Sequence, residues 1–434
     1  MSYPQIFRVR QTFAAPCIED VWATTQTELS RLHLVDRIHP GQQVAITAGS
    51  RGIANIHLII KAIVEHLKSL GAQPFIVPAM GSHGGATAQG QREVIESYGI
   101  TEEFCGCPIR SSMETTTISH AKEGFPVHFD KFALAADHVV VVNRVKPHTG
   151  FVGDIESGLM KMMLIGLGNH AGAKIYHRAI VNYSFGQIVR SVAQEVLSRC
   201  RVVFGLAVVE NAYDQTALIR AIEPQEFEDR ERELLILAKQ WMPRLPFMTA
   251  DVLIVDEIGK NISGVGMDTN VIGRKFNDHE AMKDEWPKCR RIVVRGLTLA
   301  THGNANGIGM SEFCRTRAIE QMDRKSTRLN SLTAGHPTAA MLPIDFSTDR
   351  DCLDAALSTI GLVEPQNARL MWIHNTLDIA EVECSVAYLS EMESRQDLEI
   401  IVPARSLPLD AEGNLPDNNW AKSGISLGKF GQQS

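Results

Sequence analysis

An arginine, two histidines and a lysine stand where their chemistry could converge. Arg51 in Gly49-Ser50-Arg51-Gly52, His83 in Gly81-Ser82-His83-Gly84-Gly85-Ala86-Thr87 and His148 in Lys146-Pro147-His148-Thr149-Gly150 each follow a short β-branched run. A guanidinium holds a carboxylate through two parallel hydrogen bonds, and imidazole exchanges protons near neutral pH. The set therefore has the parts to bind a small anion and move protons on it. Glycines beside His83 add a second feature, since bare backbone admits a ligand closely and the amides of Gly84, Gly85 and Ala86 ahead of a helix can hold an anion. Singly, these residues have plainer explanations: a surface ion pair, satisfied loop histidines and an ordinary tight turn that is neither a Walker motif nor a dinucleotide fingerprint. Three polar residues at three strand ends beside glycines favour a site.

The segment Glu156-Ser157-Gly158-Leu159-Met160-Lys161-Met162-Met163-Leu164-Ile165-Gly166 sets a lysine among apolar neighbours. Such surroundings disfavour an ammonium ion and lower its pKa, as in lysines that bond covalently to a ligand. A lysine snorkelling from an amphipathic helix gives the same pattern, and taken alone that simpler reading is favoured. His170 and His177 follow, available to a metal but seven residues apart rather than the four that pairs two ligands on one helix face.

The elements that must carry these residues alternate. Val44–Thr47, Pro74–Val77, His138–Val142 and Val202–Val209 read as buried strands, with helices over 56–70 and 89–98 between them, a βαβα pattern that implies a mostly parallel sheet. In such sheets ligands sit beyond the carboxyl ends of the strands, which is where Arg51, His83 and His148 fall. The two prolines of Trp241-Met242-Pro243-Arg244-Leu245-Pro246 follow a charged helix and suggest a boundary. Alternation then resumes, with strands at 251–256, 291–294 and 370–373 and helices near 311–324, 350–360 and 386–394. The expectation is two α/β domains, 1–246 and 247–434, with mostly parallel sheets and the site in the cleft between them.

The chain's 434 residues exceed what one core usually serves. Lysine and arginine total 43 against 50 aspartates and glutamates, a net charge of -7 that argues against a nucleic-acid binder. Arg51, Lys146 and Arg144 would still make the rim of the site locally positive. The opening residues carry no apolar run fit for a signal peptide, and the longer apolar stretches are broken by Asp137, Arg144 or Lys161. A cytoplasmic protein with no membrane role is expected. The 8 cysteines are scattered and read as reduced thiols, since Cys105-Gly106-Cys107 has no second pair at zinc-site spacing.

At this point the residues resemble the nickel-dependent lactate racemases and their homologous 2-hydroxy-acid racemases and epimerases. Members carry a Ser-Gly-Gly-Gly-Lys segment whose lysine is attached to a nickel-pincer nucleotide, and a histidine sixteen residues later that binds the nickel. Ser157-Gly158-Leu159-Met160-Lys161 is similar to that segment, and the matching histidine is His177; Gly166 matches a further family glycine. Upstream, Arg51 falls where the family holds the substrate carboxylate, and His83 and His148 where it places its acid and base. The resemblance covers the first half well and the second only in architecture, where Lys260, in Gly259-Lys260-Asn261, and Arg274 are counterparts to consider for a second carboxylate-binding residue; His302 could equally face the cleft. Two departures put the substrate in doubt more than the chemistry. Ala48 stands where the family usually has an aspartate, and Leu159 and Met160 replace two of the three glycines; the interval from His148 to Lys161 is also longer.

What the resemblance implies is a racemase or epimerase of a 2-hydroxy acid working by reversible hydride transfer. The cofactor would be attached at Lys161, held by Ser157, Gly158, Gly84 and Gly85, its nickel bound by His177 and its assembly dependent on maturation enzymes. Two histidines suit a reaction that needs a proton acceptor and donor for each enantiomer. Two other classes stay open: a metal-dependent hydrolase or dehydratase using the His-rich cleft, and a non-catalytic nucleotide-binding homologue. A homo-oligomer is also open.

Overall fold

The computed structural model describes residues 2–13, 16–50 and 52–417. Its strands are β1 (Ile6–Gln11), β2 (Gln43–Ala48), β3 (Gln73–Pro78), β4 (Thr115–His120), β5 (Pro126–Asp130), β6 (His138–Arg144), β7 (Val202–Glu210), β8 (Thr216–Ile222), β9 (Thr249–Val255), β10 (Lys288–Val294), β11 (Phe313–Arg315), β12 (Ile344–Phe346), β13 (Leu370–Ile373), β14 (Glu381–Ser385) and β15 (Leu398–Arg405). They form a five-stranded sheet, an eight-stranded sheet and the β4-β5 ribbon. The described residues divide into two units, one holding 16–148 and Val152–Met242, the other holding 2–13, Thr149–Phe151 and 243–417. Both are α/β.

The five-stranded sheet has the order β3-β2-β6-β7-β8, with β3, β2, β6 and β7 parallel and β8 antiparallel to β7. Valines 139 to 142 of β6 are fully buried, as expected of a parallel strand covered on both faces. The helix Ile56–Ser69 lays Ile56, Ile59, Ile60, Ile63, Val64 and Leu67 against Val44, Ile46, Val140 and Phe204. At about 1.5–3 kcal/mol for each fully buried large apolar side chain, this face secures β2 and β6 and the loops leaving them. The chain runs from β2 outward to β3 and returns to β6 on the other side of β2. That reversal opens a crevice at the carboxyl ends of β2 and β6.

In the other unit β12-β11-β10-β9-β13 run parallel and β14, β1 and β15 continue the sheet antiparallel. Buried Arg295, after β10, bonds Asp256 at 2.6 Å and Asp349 at 3.0 Å, and the Trp372 indole donates to the same Asp256 oxygen at 2.7 Å. The expected division at 246/247 differs from these units in two ways. The change of unit after the charged helix falls between Met242 and Pro243. And β1 pairs with β14 and β15, its Arg8 bonded to Glu383 and its Arg10 to Glu381. The helix expected over 311–324 is instead strand β11 followed by the helices Thr316–Glu320 and Arg324–Thr333. No helix among the described residues is long and apolar enough to cross a membrane. All eight cysteines are free, and burial pushes the Cys105 thiol up to about 11 and the Cys107 thiol up to about 12.

Candidate functional site

The turn after β2 holds Ser50, whose carbonyl accepts the Tyr98 hydroxyl at 2.7 Å and whose own hydroxyl hydrogen-bonds the His83 Nδ1. Two strand ends thus meet through one side-chain bond. Arg51 lies outside the described residues. His83 is exposed at the head of a turn in which Gly84, Gly85 and Ala86 have φ of 65, 66 and 55°. This left-handed run suits glycine, and a β-carbon on Gly84 would lie 2.5 Å from the backbone of Gly90 and Gln91. The turn therefore rests directly on the helix Ala88–Glu96, which Thr87 caps by accepting the Gly90 amide at 3.0 Å. Gly85 faces open space, with nothing within 4 Å of where a β-carbon would stand.

Beyond β6 the loop carrying His148 is fastened by buried groups. The Ser157 hydroxyl accepts the Lys146 amide at 2.7 Å and donates to the Lys146 carbonyl at 2.6 Å. Buried Glu156 accepts the His148 amide at 2.8 Å and the Gly153 amide at 3.2 Å, and pairs with the Lys239 ammonium at 2.6 Å. The His148 ring stacks on Phe185, centroids 6.3 Å apart; Phe185 meets Tyr176 edge-on at 6.0 Å, and Tyr176 lies 5.2 Å from the His177 ring. His148 and His177 are thus joined through two aromatic rings.

Lys161 ends the short helix Gly158–Lys161, which runs into a π-helical turn over Met162–Gly166. Leu159, Met160, Met162 and Met163 are buried while Lys161 is half-buried, so the apolar flanks belong to the core. Single π-turns are rare and often mark functional positions. A β-carbon on Gly81 would stand 2.9 Å from Ile165, and the Asn143 side chain donates to the Gly158 carbonyl at 2.7 Å. The ends of β3 and β6 therefore both close on this segment. Burial, and then the positive charge of Lys161, lower the His177 pKa, a direction that favours the neutral imidazole, the form that binds metals. No group of three or more His, Cys, Asp and Glu arranged to hold a metal ion occurs among the described residues.

The residues singled out in the second half are engaged within their own unit. The Lys260 ammonium donates to the Gly264 carbonyl at 2.5 Å and the Asn330 side chain at 2.7 Å. The Arg274 side chain is 0% exposed, paired with Glu312 at 2.9 Å and donating to the Met310 carbonyl at 2.5 Å. Its guanidinium braces the interior, a correction to its consideration as a carboxylate binder. His302 is exposed, in a left-handed conformation with φ of 48°. Arg144, expected to add positive charge to the rim, is ion-paired with Glu210 and its charge is offset.

Sequence reasoning missed the groups that hold the set in place: Glu231, Glu156, Lys239, Phe185 and Tyr176. Glu231 had a signal. It falls on the buried face of the helix Phe227–Trp241 with Phe227, Leu234, Leu235 and Ala238, and an acidic residue on an apolar helix face calls for a partner. Its carboxyl accepts the Leu159 amide and, at 3.3 Å, the Met160 amide. Tyr176 and Phe185 gave no such signal, since they lie on separate helices, Asn169–Ala179 and Phe185–Arg199, and a single ring on a helix usually packs a core.

No curated protein matches this sequence. Among solved structures, the lactate racemase apoprotein from Thermoanaerobacterium thermosaccharolyticum is 14% identical with a TM-score of 0.49, covering 84% of this chain and 95% of that one. A Thermotoga maritima protein known from its crystal structure is 13% identical with a TM-score of 0.49, covering 83% of this chain and 97% of that one. Residues 28–186, which hold β2, β3, β6 and the residues from Arg51 to His177, match the family model for the lactate racemase N-terminal domain, so the resemblance read from the residues is shown over that part of the chain.

Proposed function

We propose that this protein is a cytoplasmic isomerase that inverts the carbon bearing the hydroxyl and carboxylate of a small 2-hydroxy acid, using a nickel-pincer nucleotide attached at Lys161. The observation that carries this reading is the gathering of chemical groups at the carboxyl ends of one parallel sheet. Ser50 hydrogen-bonds His83 there, and His148 is linked to His177 through Phe185 and Tyr176. The match to a lactate racemase N-terminal domain supports the same reading.

The residues fit the implied group. Lys161 is half-buried and offers an amine for attachment, and His177, whose pKa burial lowers, offers one nitrogen donor. With no cluster of three protein donors among the described residues, a metal at His177 would take its remaining ligands from the attached group. When bound, that group supplies a hydride acceptor and donor.

The chain's own side chains do the rest. One histidine of the pair His83 and His148 would take the hydroxyl proton while the other stands ready to return one to the opposite face, the roles exchanging with the enantiomer. The hydroxyl of Ser50 holds the His83 ring through Nδ1, and Phe185 gives the His148 ring a flat support. Arg51 would grip the substrate carboxylate so that only the reacting carbon turns over. The left-handed turn at Gly84 and Gly85 would admit the anionic end of the nucleotide. Ser157 and Gly158 would act by shaping the segment, and Lys260 stands as the second carboxylate-binding candidate on resemblance alone.

Intact-mass spectrometry tests the reading. Protein produced together with cofactor-assembly enzymes should carry an adduct that disappears in Lys161→Ala and bring nickel that is reduced in His177→Ala. Unmodified, nickel-free wild-type protein from that preparation would overturn it.

A further inference from the structure

The helix Phe227–Trp241 touches both functional segments with ionisable side chains. Through Glu231 it holds the amides of Leu159 and Met160, two residues and one residue before Lys161. Through Lys239, two turns further on, it pairs with Glu156, which accepts the amide of His148. The carboxyl of Glu231 is 1% exposed, and a group so placed is costly to bury unless its partners offset the loss of water. A leucine here would fill the space without that cost, so the carboxyl is retained against a simpler alternative.

The surrounding residues are cut to fit this group. Gly158 has φ of 83°, and a β-carbon there would collide with the Glu231 carboxyl, 2.7 Å from its carbon and 3.0 Å from the Val145 side chain. The Gly158 carbonyl is held from the other side by Asn143. Residues 158 to 160 are thereby gripped on carbonyl and amide alike. That fixes the direction in which the first helical turn starts and hence where residue 161 emerges.

We propose that Glu231 is the positioning residue for Lys161, with Lys239 and Glu156 serving His148 from the same helix, so that one element sets the tether lysine and an acid-base histidine relative to each other. This rests on the reading of Lys161 as the attachment point. A hydrogen bond of this kind is worth up to about a tenfold factor.

The test uses the full chain in wild-type, Glu231→Ala, Glu231→Gln and Glu231→Asp forms, with folding confirmed by circular dichroism. In protein made without assembly enzymes, amide exchange at Leu159 and Met160 should quicken about tenfold in the Ala variant and stay near wild type in the Gln variant, which keeps an acceptor oxygen. In protein made with them, the rate of adduct formation at Lys161 should fall about tenfold in Ala and recover in Gln. If the Ala variant does not fold, the Asp variant, whose carboxyl is one bond short of the amides, should show the same losses in lesser degree. Wild-type exchange at both amides, or undiminished adduct formation, in a folded Ala or Asp variant would overturn the proposal. Absence of the adduct in wild type would remove the functional reading, while the exchange measurement would still decide whether Glu231 holds the segment.

Discussion

Replacing Gly158 by alanine tests how tightly the Lys161 segment is built. Its φ of 83° places an alanine in the left-handed region, at about 1–2 kcal/mol. The added β-carbon also collides with the Glu231 carboxyl. Moving that group aside breaks its bonds to the Leu159 and Met160 amides, a further loss of about 1–3 kcal/mol, so the substitution should cost about 2–5 kcal/mol in all. In a Glu231→Ala background the collision with the carboxyl and its bonds are already gone, and what remains is the backbone cost of about 1–2 kcal/mol and the 3.0 Å approach to the Val145 side chain, common to both backgrounds. The two substitutions should therefore be non-additive by about 1–3 kcal/mol. Because the chain has two units, native-state hydrogen exchange of β6 and β7 amides is the suitable assay, reporting the five-stranded unit by itself. Equal costs for Gly158→Ala in both backgrounds would refute the reasoning, since the glycine would then answer to its backbone alone.

Further expectations follow from individual groups. Burial pushes the Glu231 carboxyl from its ordinary 4.5 up to about 8. The stability this group contributes is thus full below its unfolded value and is lost as pH rises towards the folded one, at up to about 1.4 kcal/mol per pH unit. Glu231→Gln should flatten that part of the pH-stability profile between those values, and an unchanged profile would contradict the assignment. Ser50→Ala removes the bond to the His83 ring and should lower kcat/KM of the matured enzyme about tenfold with little change in urea unfolding. Arg274→Met breaks the buried pair with Glu312 and should destabilise the eight-stranded unit by about 3–5 kcal/mol. An altered KM without such a loss would restore Arg274 as a substrate contact.

Which parts of this molecule can be read in its sequence follows from the range of the interactions. Strands β2, β3, β6 and β7 are dense β-branched runs buried on both faces, a local signal, and the residues just past them fall at the carboxyl edge by geometry alone. The partners of β1, β14 and β15, lie far along the chain, so nothing local marks it as part of the second sheet. Strand β11 is only three residues long and was masked by the helices that follow it. In the candidate site, His83 and His148 stand out by residue type and by their place after a strand, whereas Lys161 and His177 stand out only through the family resemblance. The groups that orient them do not, since Ser50, Phe185 and Tyr176 are ordinary residues made relevant by contacts across the fold. Glu231 lies between, legible as an acid on an apolar helix face but with its partner visible only in three dimensions. Arg274, considered only through the resemblance, is held in the interior by Glu312, a partner 38 residues away that nothing local announces.

The central claim is stereochemical inversion at a hydroxyl-bearing carbon. Its most direct test incubates protein matured with the cofactor-assembly enzymes with single enantiomers of small 2-hydroxy acids in deuterated water, followed by chiral separation and mass spectrometry. The account predicts that at least one acid is converted in both directions with its carbon-bound hydrogen retained, and that His83→Ala and His148→Ala abolish the exchange. Nickel-loaded protein that inverts none of these acids, or inverts one equally well without both histidines, would contradict it.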